Sequence, residues 1–156
     1  KVRQAMQRFK FHHKQHYADW FAAQTLPLLA ERLEEWKPDL VTFMPIGFKR
    51  LHERGYNQAE LLAKPIAAAF DLPCQPTLRK RPFTPKQSEQ KDFAARQRNA
   101  ARALLPRGKA DLSGRSVVLV DDIITTGASA AGAAELLYKM GAARVYVLAP
   151  AKTPRK

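Results

Sequence analysis

Apolar residues recur along the chain at two spacings, and these predict helices and strands. Apolar positions three and four residues apart are typical of helices that pack one face on a core. They predict helices at residues 2–11, 17–36, 57–70, 93–104 and 128–140. Short, continuous apolar runs are typical of strands buried on both faces. They predict strands at residues 40–44, 116–120 and 145–148, with a weaker strand at 74–78.

Residues that start or stop helices refine these boundaries. Asn57 can cap the third helix, with Glu60 three residues on in a capping-box arrangement. Gly141 is placed to end the last helix. We expect Pro27 to kink or split the second helix, because proline removes a backbone hydrogen bond. Residues 79–96 are basic, contain two prolines and lack apolar periodicity, which predicts a flexible loop.

The order of the elements predicts an α/β fold. A strand, a polar turn, a helix and another strand follow one another over residues 116–148, which is the length of one right-handed βαβ unit. Residues 40–70 supply a further strand and helix. We therefore expect a doubly wound α/β domain, with helices flanking a mostly parallel sheet.

Composition narrows the class of protein. The 156 residues correspond to about one domain on a prior of roughly 150 residues, and 46% hydrophobic residues exclude wholesale disorder. No apolar run reaches the roughly 18–20 residues that a membrane-spanning helix needs, so we expect no membrane insertion. One cysteine, Cys74, excludes a disulfide scaffold and a cysteine-based zinc site within these residues. A reducing, cytoplasmic location is expected.

Positive charge is concentrated in two segments. Lysine and arginine number 27 against 14 acidic residues, which leaves a net charge of +13. Residues 1–16 hold five cations and no acid, and residues 79–109 hold ten cations against two acids. This pattern favours a polyanionic partner, either nucleic acid or a small molecule rich in phosphate. Charge alone leaves both open.

The residues that carry chemistry follow the strand at 116–120. Two adjacent acids, Asp121 and Asp122, stand where open α/β sheets bind ligands, and a short loop then opens a helix. The hydroxyl side chains and the glycine of this loop are Thr125, Thr126, Gly127 and Ser129. A loop of this composition at a helix N-terminus suits a phosphate, and paired carboxylates suit vicinal hydroxyls. A ribose 5-phosphate carries both groups.

Two segments resemble known families. Residues 117–129 resemble the phosphoribosyl pyrophosphate signature of the type I phosphoribosyltransferases: four apolar residues, two acids, two apolar residues and T-T-G-x-S. Residues 45–63 resemble the R-G-[FY]-N-Q-A-E-x-L-A segment of the ComF family, which is phosphoribosyltransferase-like and associated with DNA uptake and the use of extracellular DNA. The resemblance covers essentially the whole chain and implies a type I phosphoribosyltransferase-like fold.

The resemblance implies a role for each part of the site. Asp121 and Asp122 would be the catalytic acids that hold the ribose hydroxyls. The 5-phosphate would lie against Thr125, Thr126, Gly127, Ala128 and Ser129. The loop at 45–54 would bind pyrophosphate, with candidate cations Lys49, Arg50 and Arg54. The loop at 79–96 would close as a lid, with candidate cations Lys86, Lys91 and Arg96.

The resemblance also implies Mg²⁺ as cofactor and phosphoribosyl pyrophosphate as ligand. The metal would be held mostly by ligand oxygens and water, with Asp121 or Asp122 as candidate protein ligands. Residues 1–38 would form the variable helical segment, or hood, that selects the acceptor, and residues 39–156 the α/β core of a single domain. Many ComF proteins begin with a cysteine-rich, zinc-finger-like segment, which we expect upstream of Lys1.

Three functions stay open from the sequence. The first is an enzyme that transfers phosphoribosyl groups to a nitrogenous acceptor of unknown identity. The second is a non-catalytic sensor of phosphoribosyl pyrophosphate. The third is a DNA-handling protein of the competence machinery that grips single-stranded DNA through its basic segments. The oligomeric state is equally open, with a homodimer among the options.

Overall fold

A three-stranded parallel sheet lies at the centre of the structure, a computed structural model that describes residues 17–82 and 93–153. The predicted helix at 2–11 lies outside the described residues. The elements, in chain order, are α1 (Tyr17–Trp36), β1 (Leu40–Phe43), α2 (Phe48–Arg54), α3 (Gln58–Ala69), β2 (Leu78–Lys80), α4 (Phe93–Arg102), β3 (Leu104–Pro106), β4 (Ser116–Val120), α5 (Ala128–Lys139) and β5 (Arg144–Leu148).

The sheet has the order β1-β4-β5, so β4 is its central strand. Leu40 lies opposite Val117 in the β1–β4 pair, and Ser116 lies opposite Arg144 in the β4–β5 pair. Every residue of β1 and β4 is buried, as expected for parallel strands covered on both faces. The predicted strands at 116–120 and 145–148 and the parallel arrangement are confirmed. The first strand ends one residue earlier than predicted, at Phe43.

Helices cover both faces of the sheet and complete one core. Helix α3 packs on β1 and on α1, and it contributes Leu62 and Ile66, which are fully buried. Helix α1 also contacts β5, where Trp36 stacks on Tyr146 with ring centroids 4.3 Å apart. Helix α1 continues through Pro27, so Pro27 does not split it, and the alternative of a kink stays a prediction. Among the described residues, no helix is both long and apolar enough to cross a membrane.

The N-terminus of α3 confirms Asn57 as the cap, but Glu60 does not complete the predicted capping box. Asn57 Oδ1 accepts a hydrogen bond from the backbone N–H of Ala59 at 3.1 Å. The Glu60 carboxylate forms an ion pair with Lys64 Nζ at 2.7 Å. A surface pair of this kind between residues four apart in a helix adds little stability. The start of α3 therefore depends on Asn57.

The predicted strand at 74–78 is wrong in position. Residues 73–75 run beside β1 for one parallel bridge, between Val41 and Cys74. The ladder stops there because the next N–H facing β1, that of Thr77, donates to the side-chain Oγ1 of Thr42 at 3.3 Å instead of to a backbone carbonyl. The strand begins instead at Leu78 and pairs antiparallel with β3 in a separate two-stranded sheet.

Two predicted loops are partly regular structure. The segment at 45–54 contains helix α2, which ends where Gly55 adopts the left-handed conformation at φ 78°. The segment at 79–96 supplies residues 79 and 80 to β2 and residues 93–96 to α4. Residues 83–92 lie outside the described part of the chain, so the mobility expected of this segment stays a prediction.

Helices α4 and α5 approach closely at a glycine. A Cβ added to Gly132 would lie 2.7 Å from the backbone nitrogen of Ala101 and 2.8 Å from the carbonyl oxygen of Gln97. Both of those atoms are backbone of α4, so neither can rotate away. The contact fixes α4 on α5, whose N-terminus forms part of the site described below.

We predict that Gly132→Ala destabilises the protein. Alanine would favour the helix by about 0.5–1 kcal/mol in open space, but the clash should reverse the sign and cost about 1–3 kcal/mol. Urea unfolding measures the difference. Gly47→Ala is the matched control, because Gly47 has φ −72° and open space around its Cα. A Gly132→Ala protein that is more stable than wild type would contradict the close contact.

Candidate functional site

A cleft of about 1100 Å³ opens at the carboxyl ends of β1 and β4. Two hydrogen bonds hold the strand ends together there: Met44 N donates to the Val120 carbonyl at 2.9 Å, and Asp121 N donates to the Leu148 carbonyl at 3.0 Å. The cleft walls come from residues 44–50 and 54, the start of α3, residues 80–82 and 103, and the segment after β4. This is the position at which open α/β sheets bind ligands.

Asp121 and Asp122 form one wall of the cleft. Both are half-buried, and Asp121 Oδ1 accepts a hydrogen bond from the backbone N–H of Asp122 at 2.8 Å. The loop that follows is anchored to the chain beyond β5, because Ile124 N donates to the Ala151 carbonyl at 2.9 Å. The structure thus gives the predicted acid pair a fixed backbone at the edge of the cleft.

The loop after the acids turns into α5 at Gly127. Gly127 has φ 83°, a left-handed conformation that side chains with a Cβ rarely adopt, and its carbonyl accepts from Ala131 N in the first turn. Thr125, Gly127 and Ser129 line the cleft. The other two predicted phosphate residues are outside the lining: Ala128 is buried, and its N–H lies 3.4 Å from Thr126 Oγ1. Their contact with phosphate stays a prediction.

The three predicted pyrophosphate cations all line the opposite wall, but they differ in how firmly they are held. Lys49 is 90% exposed, with its Nζ 4.0 Å from Glu53 Oε1. Arg54 is half-buried, and its Nη1 donates to Gln58 Oε1 at 3.1 Å. Arg54 is therefore a positioned cation, whereas Lys49 is a solvated one.

Lys80 and Arg81 also line the cleft, and sequence reasoning missed them. Burial lowers the pKa of the half-buried Lys80, the nearby Arg50 lowers it further, and Asp121 opposes the shift. Lys80 thus lies within electrostatic reach of both walls. Side chains alternate along β2, so Lys80 lies on the same side as buried Leu78. A predicted strand at residues 78–80 would therefore have indicated Lys80 from the sequence.

The ComF-like segment divides into structural and cleft-facing residues. Gly55 ends α2, and buried Tyr56 has a raised pKa because burial disfavours the phenolate, with Arg54 opposing. Asn57 Nδ2 donates to the Met44 carbonyl at 2.9 Å, which ties the start of α3 to the end of β1. Gln58 lies in the cleft wall with 2% of its surface exposed.

None of the remaining predicted site residues is among the described residues that line the cleft. Lys86 and Lys91 lie outside the described residues, so their role in a lid stays a prediction. Arg96 belongs to α4 rather than to a loop, and it is exposed outside the cleft lining. Helix α1 packs on α3 and β5 away from the lining, so the assignment of residues 1–38 to an acceptor-binding hood also stays a prediction.

The acid wall suits a cation that is shared with a ligand. Within residues 17–82 and 93–153, no group of three or more histidine, cysteine or acidic residues could hold a metal ion. Asp121 and Asp122 nevertheless offer the hard oxygen donors that Mg²⁺ prefers, and Mg²⁺ usually keeps several waters and binds substrate phosphates. The donor set therefore fits Mg²⁺ that arrives with a phosphorylated ligand.

Comparison with known proteins agrees with this geometry. The family described as phosphoribosyl transferase domain matches residues 57–156. Competence protein F of Haemophilus influenzae is 34% identical over 149 residues, which cover 91% of this chain and 64% of that protein. DNA utilization protein YhgH of Escherichia coli is 36% identical over 115 residues, which cover 70% of this chain and 48% of that protein. The chain thus spans about half to two thirds of the length of these relatives.

A solved structure supports the fold independently of these sequences. The adenine phosphoribosyltransferase of Saccharomyces cerevisiae superimposes with a TM-score of 0.56 at 22% identity, over 87% of this chain and 68% of that one. At that identity the likeness concerns the fold alone. The parallel sheet, the acid pair with its loop and the sequence relatives agree, and the chain belongs to the phosphoribosyl transferase domain family as a ComF-family, phosphoribosyltransferase-like protein.

Proposed function

We propose that this domain binds phosphoribosyl pyrophosphate with Mg²⁺ and transfers its phosphoribosyl group to a nitrogenous acceptor, in the context of DNA uptake and use. The observation that carries the proposal is one cleft with two complementary walls. Asp121, Asp122 and the N-terminus of α5 form one wall, and the cations of α2 and β2 form the other. A cytoplasmic location is part of the proposal.

The wall after β4 matches the ribose 5-phosphate half of the ligand. Ionised carboxylates only accept hydrogen bonds, so Asp121 and Asp122 suit the vicinal ribose hydroxyls. Thr125 and Ser129 offer hydroxyl donors beside Gly127, at the positive end of α5. A phosphate at this position would accept hydrogen bonds from these hydroxyl groups and would be stabilised by the helix dipole.

The opposite wall matches the pyrophosphate half. In the proposed reaction the bond from C1 of the ribose to the pyrophosphate oxygen breaks, and its electron pair leaves with the pyrophosphate. A bond forms from C1 to the acceptor nitrogen, which then loses its proton to solvent. Arg50, Arg54 and Lys80 line the cleft and would stabilise the charge on the leaving group. The reaction then needs no nucleophile from the protein. Mg²⁺, held by Asp121 or Asp122 together with ligand oxygens, would add positive charge at the pyrophosphate.

A sensor would use the same cleft without the transfer. Binding and catalysis require the same contacts, so the cleft supports both. Pyrophosphate release in the presence of free bases distinguishes them: release that depends on the acceptor supports the enzyme, and binding without release supports the sensor.

A second candidate function, binding of single-stranded DNA, is favoured by an exposed aromatic residue at the mouth of the cleft. Phe48 is 85% exposed, and its ring lies nearly parallel to that of His52, with centroids 6.3 Å apart. Lys49 and Arg50 follow it in α2. An exposed ring beside cations is the combination with which proteins hold unpaired bases. The name of the Escherichia coli relative, DNA utilization protein YhgH, agrees with a role in DNA use.

We predict that Asp121→Asn combined with Asp122→Asn weakens the binding of phosphoribosyl pyrophosphate and Mg²⁺ by about 2–4 kcal/mol, because charge-assisted hydrogen bonds to the hydroxyls are lost. Isothermal titration calorimetry measures the change. Asp71→Asn is the matched control, because Asp71 is exposed outside the cleft and its φ of 52° suits asparagine. Equal affinity of the double variant and wild type would place the ligand elsewhere.

We predict that Lys80→Met weakens pyrophosphate binding and removes a pH dependence. Loss of the Lys80 proton removes a cation, so wild-type affinity should fall as pH rises through the pKa of Lys80, which lies below its ordinary value. Titrations over a series of pH values should show this fall in wild type and not in the variant. Arg79→Met removes a neighbouring exposed cation outside the cleft lining and should retain the fall. The same pH profile in wild type and Lys80→Met would exclude Lys80 from the site.

We predict that Phe48→Ala weakens binding of single-stranded DNA by about 1–3 kcal/mol, the range for one stacked base. Fluorescence anisotropy at two salt concentrations measures this and the counterion contribution. Trp20→Ala removes another exposed aromatic ring outside the cleft lining and should leave DNA affinity unchanged. No DNA binding by wild type at low salt would rule this candidate out.

A further inference from the structure

The first residue of α3 carries a buried donor without a hydrogen-bond partner among the described residues. Gln58 has 2% of its surface exposed and lines the cleft. Its Oε1 accepts from Arg54 Nη1 at 3.1 Å. Its Nε2 is buried and, in the described part of the chain, has no hydrogen-bond partner. Buried polar side chains nearly always have a partner, so this amide needs an explanation.

The chemistry of arginine fixes the direction of this amide. A guanidinium group only donates hydrogen bonds, so the atom of Gln58 that faces Arg54 must be the oxygen. Turning the amide around would place two donors against each other. The Nε2 group is therefore the one that needs an acceptor, and leaving it without one costs free energy.

The neighbours of Gln58 show what kind of acceptor fits. Asn57, Gln58 and Ala59 all line the cleft at the N-terminus of the twelve-residue α3, which is the positive end of the helix. Asn57 uses its side chain on the Met44 carbonyl and on the N–H of Ala59. The Nε2 group of Gln58 thus lies beside the Arg54 guanidinium group and at the positive end of the α3 dipole. Both favour an anionic oxygen.

We infer that Gln58 binds the diphosphate end of the ligand. Its Nε2 donates to a phosphate oxygen at the N-terminus of α3, and its Oε1 holds Arg54 in position for the same anion. The ligand then lies between the positive ends of two helices, with its 5-phosphate at α5 and its diphosphate at α3. This inference rests on the proposed function for the identity of the ligand, and on the geometry of Gln58 alone for the anion site.

The inference is tested with Gln58→Leu and two probes, inorganic pyrophosphate with Mg²⁺ and ribose 5-phosphate. Leucine removes both the donor and the oxygen that binds Arg54, with little change of volume. Calorimetry should show pyrophosphate affinity reduced by about tenfold or more, on the scale of one hydrogen bond to a charged group. The affinity for ribose 5-phosphate should change by less than about twofold, because that probe binds at α5. The unliganded variant should stay folded in thermal unfolding, because removal of the unsatisfied buried donor offsets the lost hydrogen bond to Arg54.

A second variant separates the donor from its neighbour. Gln58→Glu retains an oxygen for Arg54 but replaces the donor with a negative charge, so it should weaken pyrophosphate binding more than Gln58→Leu. Gln75→Leu is the control, because Gln75 is exposed outside the cleft lining. In the wild-type protein, the side-chain amide signals of Gln58 should shift in NMR spectra when pyrophosphate is added.

The outcomes distinguish this inference from the proposed function. Unchanged pyrophosphate affinity in folded Gln58→Leu, or Gln58 amide signals that do not respond to pyrophosphate, would overturn the inference even if phosphoribosyl pyrophosphate binds. Wild-type protein that binds pyrophosphate through Gln58 but binds neither phosphoribosyl pyrophosphate nor ribose 5-phosphate would support the anion site and contradict the proposed function.

Discussion

The parallel pairing of β1 with β4 is the constraint on which the rest of the structure depends. Phe43 lies opposite Val120 at the last pair of the register, so both strands end at the same edge of the sheet. The hydrogen bond from Met44 N to the Val120 carbonyl then holds the two departing segments side by side. One segment leads to the cations of α2, and the other begins with Asp121. A one-residue slip of the register would turn the side chains of one strand to the opposite face and separate these walls.

The same edge positions two helix N-termini around one cleft. Asn57 binds the Met44 carbonyl and thereby ties α3 to the end of β1, while Gly127 turns the chain into α5 beyond β4. Positive helix ends are favourable places for anions. A ligand with a phosphate at one end and a diphosphate at the other can use both, and the two carboxylates between them suit a sugar.

Several features of the cleft favour function over the stability of the unliganded protein. Burial and the nearby Arg50 both lower the pKa of Lys80, and Gln58 has a buried donor with no acceptor in residues 17–82 and 93–153. Each costs free energy when the cleft holds no ligand, and a bound anion would relieve both costs. Functional sites commonly carry such local costs. Two such costs in one cleft favour an anionic ligand. This physical argument does not depend on sequence similarity.

Much of the fold follows from the sequence, because its strongest signals are local. The buried run at 116–120, the cap at Asn57 and the glycine at Gly141 each act within a few residues, and the structure contains all three. The signature at residues 117–129 likewise predicted that Asp121 and Asp122 lie at the carboxyl end of a strand, where the cleft is found. Sequence reasoning failed where tertiary pairing decides the outcome. Residues 78–80 are strand only because β3 lies beside them, and that pairing carries Lys80 into the cleft.

The difference between Gln58 and Asn57 could not be predicted from the sequence either. Only the hydrogen bonds show that both polar groups of Asn57 are used within the protein, whereas Nε2 of Gln58 has no partner among the described residues.

The central claim is that one ligand contacts both walls of the cleft at once. Amide hydrogen exchange with and without phosphoribosyl pyrophosphate and Mg²⁺ tests it most directly, because the method reports each segment separately. The account predicts that the ligand slows exchange in residues 44–59 and in residues 121–131 together, with little change in β5. Protection of only one of these segments, or of neither, would contradict a single ligand held between the two walls.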